Sequence, residues 1–401
     1  VFFFRQDREL LHDAFDRLVY RIKYPFKLWL YGALDALVLA LYPARPGKRI
    51  LLFRCDQIGD YLLTRPFLPV LKADPGWSGW SWFLAGNAQV TDLVCHRDAV
   101  WIDGWIPIDR ARFINSVVYR FRILRQIRLG GFGVVLNLSH TRQYWLESVL
   151  RVSGAPERYT GQPAGRYMSR AEQAISDSLY TRIWPTGGRV QFEFFRNRAL
   201  FARLCAAASQ IELPVLPRKP GGEKLRVRIA PGASAALRRW PARRFARLIA
   251  DLYARFPVEV RIIGGPGETA LADSILREAG RAEDGHFCGM YSLSETLEDL
   301  GQADLLISNE SSPVHMAATL GVPCICLSQG NHFGRWNPWP AELAPQICTL
   351  YPPGFGDIRS NYAELTARFH DGSPVSMETL PYDTVWQETV RILEEIQAGR
   401  S

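Results

Sequence analysis

Residues 303–327 read ADLLISNESSPVHMAATLGVPCICL, and this stretch decides the fold. An apolar run, Ala303–Ser308, breaks into a polar loop. Pro313–Leu320 then has the composition of a short helix, and Gly321 ends it. Val322–Leu327 is a second apolar run of strand length, in which Cys324 and Cys326 alternate and so share one face. Strand, loop, helix and strand at this spacing make a βαβ unit, which needs a parallel sheet. The loop itself is chemically loaded. Glu310, Ser311 and Ser312 precede the helix, and His315 lies one turn inside it. Hydroxyls and free N–H groups at a helix start suit phosphate, and a carboxylate can accept from a sugar hydroxyl. A lone histidine on a helix also reads as an ordinary core residue.

The same alternation recurs outward in both directions. Arg49–Arg54 reads as a strand, followed by a loop at Cys55–Asp60 and a helix over Tyr61–Lys72. Gly76–Ala85, Trp101–Ile108 and Gly131–Leu138 read as further strands, with one amphipathic helix predicted over 112–128. Leu213–Glu223 (LPVLPRKPGGE) is dense in Pro and Gly and marks a linker. Beyond it, Leu225–Ala230 and Val258–Ile263 read as strands, and Pro241 stands at the expected start of a helix. Ser292–Glu295 (SLSE) has the form of a capping box, opening a helix that stops near Gly301. Trp386, Val390, Leu393 and Ile396 mark a last amphipathic helix.

Two further loops follow strands in the manner of 309–312. In Asp56–Asp60 (DQIGD), Gly59 permits a sharp turn and Asp60 stands at the helix start. There it serves either as a cap or as a general base toward an acceptor hydroxyl. In 230–241 (APGASAALRRWP), the small residues Gly232 and Ser234 allow close approach of an anion to the backbone. Arg238 supplies a guanidinium just before a helix. Arg243, Arg244 and Arg247 fit a solvated helix face better. Gly264–Gly267 (GGPG) departs from the dinucleotide-binding register, and Pro266 removes a donor.

Composition narrows the function classes. The chain has 401 residues, 47% hydrophobic and 22% charged, with 48 Lys+Arg against 40 Asp+Glu, a net +8. Such a balance is globular and admits an anionic partner. Basic residues are scattered without a nucleic-acid-binding motif, so nucleic acid is not an expected partner. Seven cysteines form no CxxC and no metal-ligand spacing, as buried free thiols would be; no metal is expected. Residues 1–46 carry seven basic and five acidic residues among many aromatics. The apolar run Leu28–Tyr42, interrupted by Asp35, is shorter than the ~20 residues a bilayer core demands. Two readings fit this segment. One is a membrane-interfacial helical hairpin, and the other a helical extension packed on protein. No secretory signal is expected.

ILLFRCDQIGDYLLTRPFLPVLK (50–72), PGASAALRRWPARRFARLIADL (231–252) and the stretch from Gly289 to Leu327 together resemble glycosyltransferase family 9, the lipopolysaccharide heptosyltransferases. The similarity runs from about Arg49 to the final helix and leaves residues 1–46 outside. It implies an α/β fold of two Rossmann-like domains facing across a cleft, the GT-B type, with an N-terminal helical extension. The implied divisions are 1–46 for the extension, 47–215 for the acceptor domain and 216–380 for the sugar-nucleotide domain. Residues 381–401 form a C-terminal helix expected to pack back on the N-terminal domain.

The implied reaction is inverting, metal-independent transfer of a sugar, heptose from ADP-heptose, onto a lipopolysaccharide-core or related glycan. It needs no cofactor beyond the nucleotide-sugar donor. Asp60 aligns with the family's catalytic base. Gly232, Ser234, Arg238, Glu310, Ser311, Ser312 and His315 fall on donor-binding positions, with Gly59 and Arg142 as acceptor-side candidates. Expected partners are the nucleotide sugar, a glycan or glycolipid acceptor and an anionic membrane surface. The expected location is cytoplasmic, peripheral on the inner face of the cytoplasmic membrane. Arg238 replaces a family lysine, Glu310 an aspartate and Ser312 a glycine, which bears on the donor's identity. The rival readings are a transferase or epimerase for another nucleotide sugar, or a catalytically silent membrane-associated subunit.

Overall fold

The computed structural model describes residues 14–143, 145–163, 170–188, 190–213 and 222–400. Most of the expected linker, 214–221, and residues 1–13 of the extension lie outside them. The chain divides into two compact units. One runs to Gln57 and takes in Phe67–Arg189 and Asn197–Ser209. The other consists of Ile58–Pro66, Val190–Arg196 and Gln210–Ser401. Two short stretches that the sequence reading assigned to the first half therefore group with the second: the Gly59–Asp60 turn and the segment containing Glu193.

The first unit holds a six-stranded parallel sheet in the order β3-β2-β1-β4-β5-β6. Its strands are β1 Gly47–Arg54, β2 Ser81–Asn87, β3 Gly104–Ile108, β4 Phe132–Asn137, β5 Glu157–Gly161 and β6 Arg182–Trp184. The second unit holds a five-stranded parallel sheet in the order β11-β10-β9-β7-β8. These are β7 Leu225–Ala230, β8 Val258–Ile262, β9 Leu305–Asn309, β10 Cys324–Leu327 and β11 Ile347–Leu350. Two parallel sheets with flanking helices make each unit the α/β type the sequence pattern required, because parallel neighbours need helical crossovers that cover both faces. Val227, Ile229, Ile307 and Ile325 are fully buried in the second unit's core, as a doubly covered sheet demands. All seven cysteines are free, and five are buried.

Several local expectations are corrected. The helix expected over Tyr61–Lys72 is two short helices, Ile58–Leu62 and Leu68–Ala73, separated by a 3-10 turn, because Pro66 and Pro69 cannot donate within a continuous helix. The helix expected over 112–128 breaks at Ser116, whose side chain caps Val117–Leu129 by accepting from the Tyr119 N–H. Pro241 stands just before the helix Ala242–Arg255 rather than within it. The capping box at Ser292 and Glu295 is present. The final helix, Tyr382–Ala398, buries Tyr382, Val385, Ile392 and Leu393 in the second unit's own core, where the reading had placed it on the N-terminal domain.

The N-terminal segment is one helix, Ala14–Leu41, not a hairpin over its described length. It packs on the first unit through Tyr31, Leu34, Asp35 and Val38, all buried. Asp35 is taken inside by Arg151 at 2.7 Å, Ser148 at 2.7 Å and Arg120 at 3.8 Å. No helix among the described residues is long and apolar enough to cross a membrane.

Candidate active site

At the carboxyl ends of β7, β8, β9 and β10 the second unit gathers four loops, the edge where open parallel sheets hold ligands. Asn309, the last residue of β9, organises two of them. Its Oδ1 accepts from the Trp240 N–H at 3.0 Å, and its Nδ2 donates to the Pro231 carbonyl at 2.7 Å. Both ends of the loop after β7 are thus tied to one buried side chain. Trp240 is anchored further by its indole N–H, which donates to the Leu380 carbonyl at 3.0 Å, and by stacking on Tyr382. The same loop walls an apolar cavity of 330 Å³ with Trp240, Phe245 and Leu271.

Arg238 sits on the 3-10 turn within this loop and reaches across to the next one. Its Nη2 donates to the Glu310 carbonyl at 2.8 Å and lies 3.4 Å from the Glu310 carboxylate. Its Nη1 donates to Ser234 Oγ at 3.1 Å. The Nε is shut away from solvent without a partner among the described residues. Glu310 also accepts from the hydroxyl of Ser328, which follows β10. Burial raises its carboxyl above the usual carboxylate range, against the pull of Arg238. Ser234, Arg238 and Glu310, expected from the sequence on the donor side, meet in one chain of contacts.

Ser311 occupies the N-cap position of Ser312–Leu320, but its hydroxyl donates backward to the Asn309 carbonyl at 3.2 Å. Among the described residues no side chain caps this helix. Pro313 has no N–H and the Val314 N–H donates to the Ser311 carbonyl at 3.1 Å, so the helix start offers an anion the Ser312 N–H and the positive end of its dipole. Ser312 begins the helix, half-buried.

His315 is buried one turn further on, between the rings of Trp336 and Trp339, with centroids 5.2 and 5.4 Å away. Burial pushes its pKa down to about 4, with Asp60 and Glu193 pulling upward and Arg238 downward. The imidazole is therefore neutral near pH 7. Among the described residues its Nδ1 has no partner. The ring packs directly on Gly59, where an added Cβ would lie 2.5 Å from the imidazole Cδ2. Gly59 is needed here for close approach rather than for an unusual backbone angle. This contact places Asp60 beside His315. Asp60 is itself buried, with Arg335 Nη2 at 3.7 Å from its Oδ1. Arg335 in turn donates from Nε to Glu193 at 2.9 Å, and its carbonyl accepts the Glu193 N–H.

Gly232 and Gly264 approach one carboxylate, that of Glu268. A Cβ on Gly232 would fall 1.4 Å from its Oε1, and one on Gly264 would fall 2.3 Å from its Oε2. Oε2 accepts from the Gly265 N–H at 2.7 Å. Sequence reasoning missed Glu268, Asn309, Arg335 and Glu193. Only Glu268 had a local signal, since it closes the GGPG turn that seemed unpromising by register.

Arg142 lies in the first unit and is fully buried. It donates to Ser176 at 3.0 Å and Asp177 at 2.6 Å and lies over the Tyr180 ring. Its guanidinium is directed into the unit rather than outward, which the acceptor-side reading had not foreseen.

Residues 200–349 match the family model described as glycosyltransferase family 9 (heptosyltransferase). No curated protein matches the chain. Among solved structures, the chain is similar to a glycosyltransferase family 9 protein from Veillonella parvula, with a TM-score of 0.65 and 16% identity over 88% of this chain and 99% of that one. It is similar to E. coli heptosyltransferase WaaC with ADP (TM-score 0.60, 16% identity, 86% and 99% covered). It is also similar to E. coli ADP-heptose lipopolysaccharide heptosyltransferase II (TM-score 0.59, 15% identity, 87% and 99% covered). At these identities the structural likeness speaks for the fold, and the matched segment contains every donor-side residue described above. The family 9 match thus covers residues 200–349, and the solved structures extend the likeness in fold to most of the chain.

Proposed function

We propose that the chain transfers heptose from ADP-heptose to a lipopolysaccharide-core or related glycan acceptor by a single inverting displacement. The observation that carries this reading is the packing of Gly59 on His315, which sets Asp60 beside the loops that bear Arg238 and Glu310. In the proposed reaction Asp60 takes the proton of an acceptor hydroxyl. The acceptor oxygen bonds to the anomeric carbon from the face opposite the diphosphate. The bond from that carbon to the phosphate oxygen breaks, and ADP leaves with the electron pair. Arg238, the Ser312 N–H and the dipole of the helix Ser312–Leu320 offset the charge gathering on the diphosphate. His315, neutral, offers a hydrogen bond without adding a second positive charge beside Arg238. The proposal assigns no metal to these steps.

The ADP assignment draws on the E. coli relatives, described as complexes with ADP and with ADP-2-deoxy-2-fluoro heptose. The Arg238–Glu310 contact favours retention of the family's donor site. Where the family has lysine and aspartate, the longer pair here meets across the same two loops, so the two replacements compensate each other. A glycolipid acceptor places the protein at the inner face of the cytoplasmic membrane. The test is calorimetric titration of the purified chain with ADP, UDP and dTDP, followed by turnover of ADP-heptose with a core glycolipid. Selective ADP binding with transfer supports the reading. Tighter UDP or dTDP binding replaces the donor, and ADP binding without transfer supports a silent subunit.

A further inference from the structure

Between Trp29 and Leu41 the first helix shows two different faces. Tyr31, Leu34, Asp35, Val38 and Tyr42 point into the first unit, at helical spacing. Trp29, Leu37, Leu39 and Leu41 are exposed by 68, 46, 36 and 55%, and the other exposed positions are Gly32 and alanines. The one ionisable group of this stretch other than Tyr31, Asp35, is turned inward and paired with Arg151. The outward face therefore carries neither a charge nor a hydrogen-bonding group other than the indole N–H. A soluble surface rarely leaves an apolar stripe of this length open.

The neighbouring helix supplies the second observation. Residues 110–131 contain six arginines and no acidic residue. Val117–Leu129 runs alongside the first helix: Tyr31 donates to the Ile114 carbonyl, Tyr42 packs on Phe121, and Arg128 donates to the Tyr42 carbonyl at 2.7 Å. Arg125 lies over the Tyr42 ring, one residue beyond the apolar stripe. Arg122 and Arg125 are exposed, as are Val117, Val118 and Leu129. An uncharged stripe flanked by exposed guanidinium groups, with a tryptophan at one end, has the chemistry of a helix lying in the headgroup layer of an anionic bilayer.

We infer that this face, formed by Trp29, Leu37 and Leu41 with Arg122 and Arg125, docks the protein on an anionic lipid surface. The inference rests on the peripheral placement proposed above and not on sugar transfer. The stripe enters the acyl boundary, and the arginines pair with lipid phosphates.

The experiment is flotation of the full chain with vesicles of phosphatidylcholine alone or mixed with phosphatidylglycerol, without nucleotide sugar. Wild type should float with the mixed vesicles and stay behind with phosphatidylcholine alone. Trp29→Ser with Leu37→Ser, and separately Arg122→Glu with Arg125→Glu, should each lower the bound fraction by roughly tenfold or more. All four positions are exposed, so thermal melts should match wild type. Variants that float like wild type overturn this face while leaving peripheral placement standing. A wild type that never floats overturns both. A dimer that Trp29→Ser with Leu37→Ser dissociates, without vesicle binding, identifies a second copy of the chain as the occupant and overturns the lipid assignment.

Discussion

Two arginines, each in a loop that follows a parallel strand, behave in opposite ways. Arg142, after β4, belongs to a closed network. It holds Ser176 and Asp177, while Glu147 accepts from Ser176 at 2.9 Å and from Tyr180 at 2.6 Å, and Asn137 donates to Tyr180 at 2.7 Å. Burial raises the Glu147 carboxyl and the Tyr180 hydroxyl, so the network resists ionisation at both. Arg238, after β7, is held by a carbonyl, a hydroxyl and a carboxylate at a longer 3.4 Å. Its side chain keeps 22% of its surface, against none for Arg142. An arginine that is itself fully buried and already has a short carboxylate contact holds a fold together. One whose contact is long and partly wet retains capacity to turn toward a ligand.

The contrast can be broken by experiment. The largest effect is expected at Asp60. Asp60→Asn should cut turnover on the order of 10²–10⁴-fold while donor affinity and melting temperature stay close to wild type. Initial rates, calorimetry and a thermal melt read the three quantities, and normal turnover would remove Asp60 from the base role.

His315 comes next, through pH. Its folded pKa, about 4, lies below the ordinary 6.5, so between these values the unfolded chain binds the proton and the folded chain does not. Stability should therefore fall as pH drops from 6.5 toward 4, by up to roughly 3 kcal/mol from this group, and level off below. Denaturant titrations across that window should show wild type losing up to roughly 3 kcal/mol more than His315→Gln. Parallel curves would show that the imidazole is not held neutral.

Arg142→Ala should cost about 2 kcal/mol of stability, because Asp177 and Ser176 lose their partner. The folded fraction should bind donor as wild type does. A loss of donor affinity without a loss of stability would collapse the distinction between the two arginines. The smallest effect is expected for Arg238→Lys, which restores the family residue. It gives up the fork that joins Ser234 to Glu310 and should weaken nucleotide binding by about 1–2 kcal/mol, with little change in melting temperature.

Much of this architecture was legible where one physical signal acted alone. β7 was read without error because Leu225–Ala230 (LRVRIA) alternates apolar residues with arginines at the strand period, with turn residues beside it. The capping box at Ser292 is local by nature. Reading failed where two signals competed. Ser116 sits within an unbroken apolar periodicity, yet its hydroxyl is better used as a cap than in a helix interior. β5 and β6 are short and half-buried, and alternation over three to five residues carries little information.

At the candidate site, Arg238 and Glu310 were singled out because each lies on a strand-to-helix loop, and His315 because it lies one turn into the helix that follows. Asn309 and Glu193 were not, because nothing in NE or FEF foretells a partner 69 or 142 positions away. Asp35 was seen as a flaw in an apolar run. Turned inward, it is what leaves the outer face uncharged.

The grouping of Ile58–Pro66 and Val190–Arg196 with the second sheet has a practical corollary for anyone wishing to dissect the protein. A fragment begun after the Pro-Gly-rich stretch at 213–223 would keep all five strands of that sheet and every donor-side residue. It would nevertheless lose Gly59, which lies against the His315 ring, and Glu193, the carboxylate that holds Arg335. Conventional subcloning at the linker would thus yield a sheet with an unfinished floor. A faithful minimal piece of this protein is discontinuous in the gene.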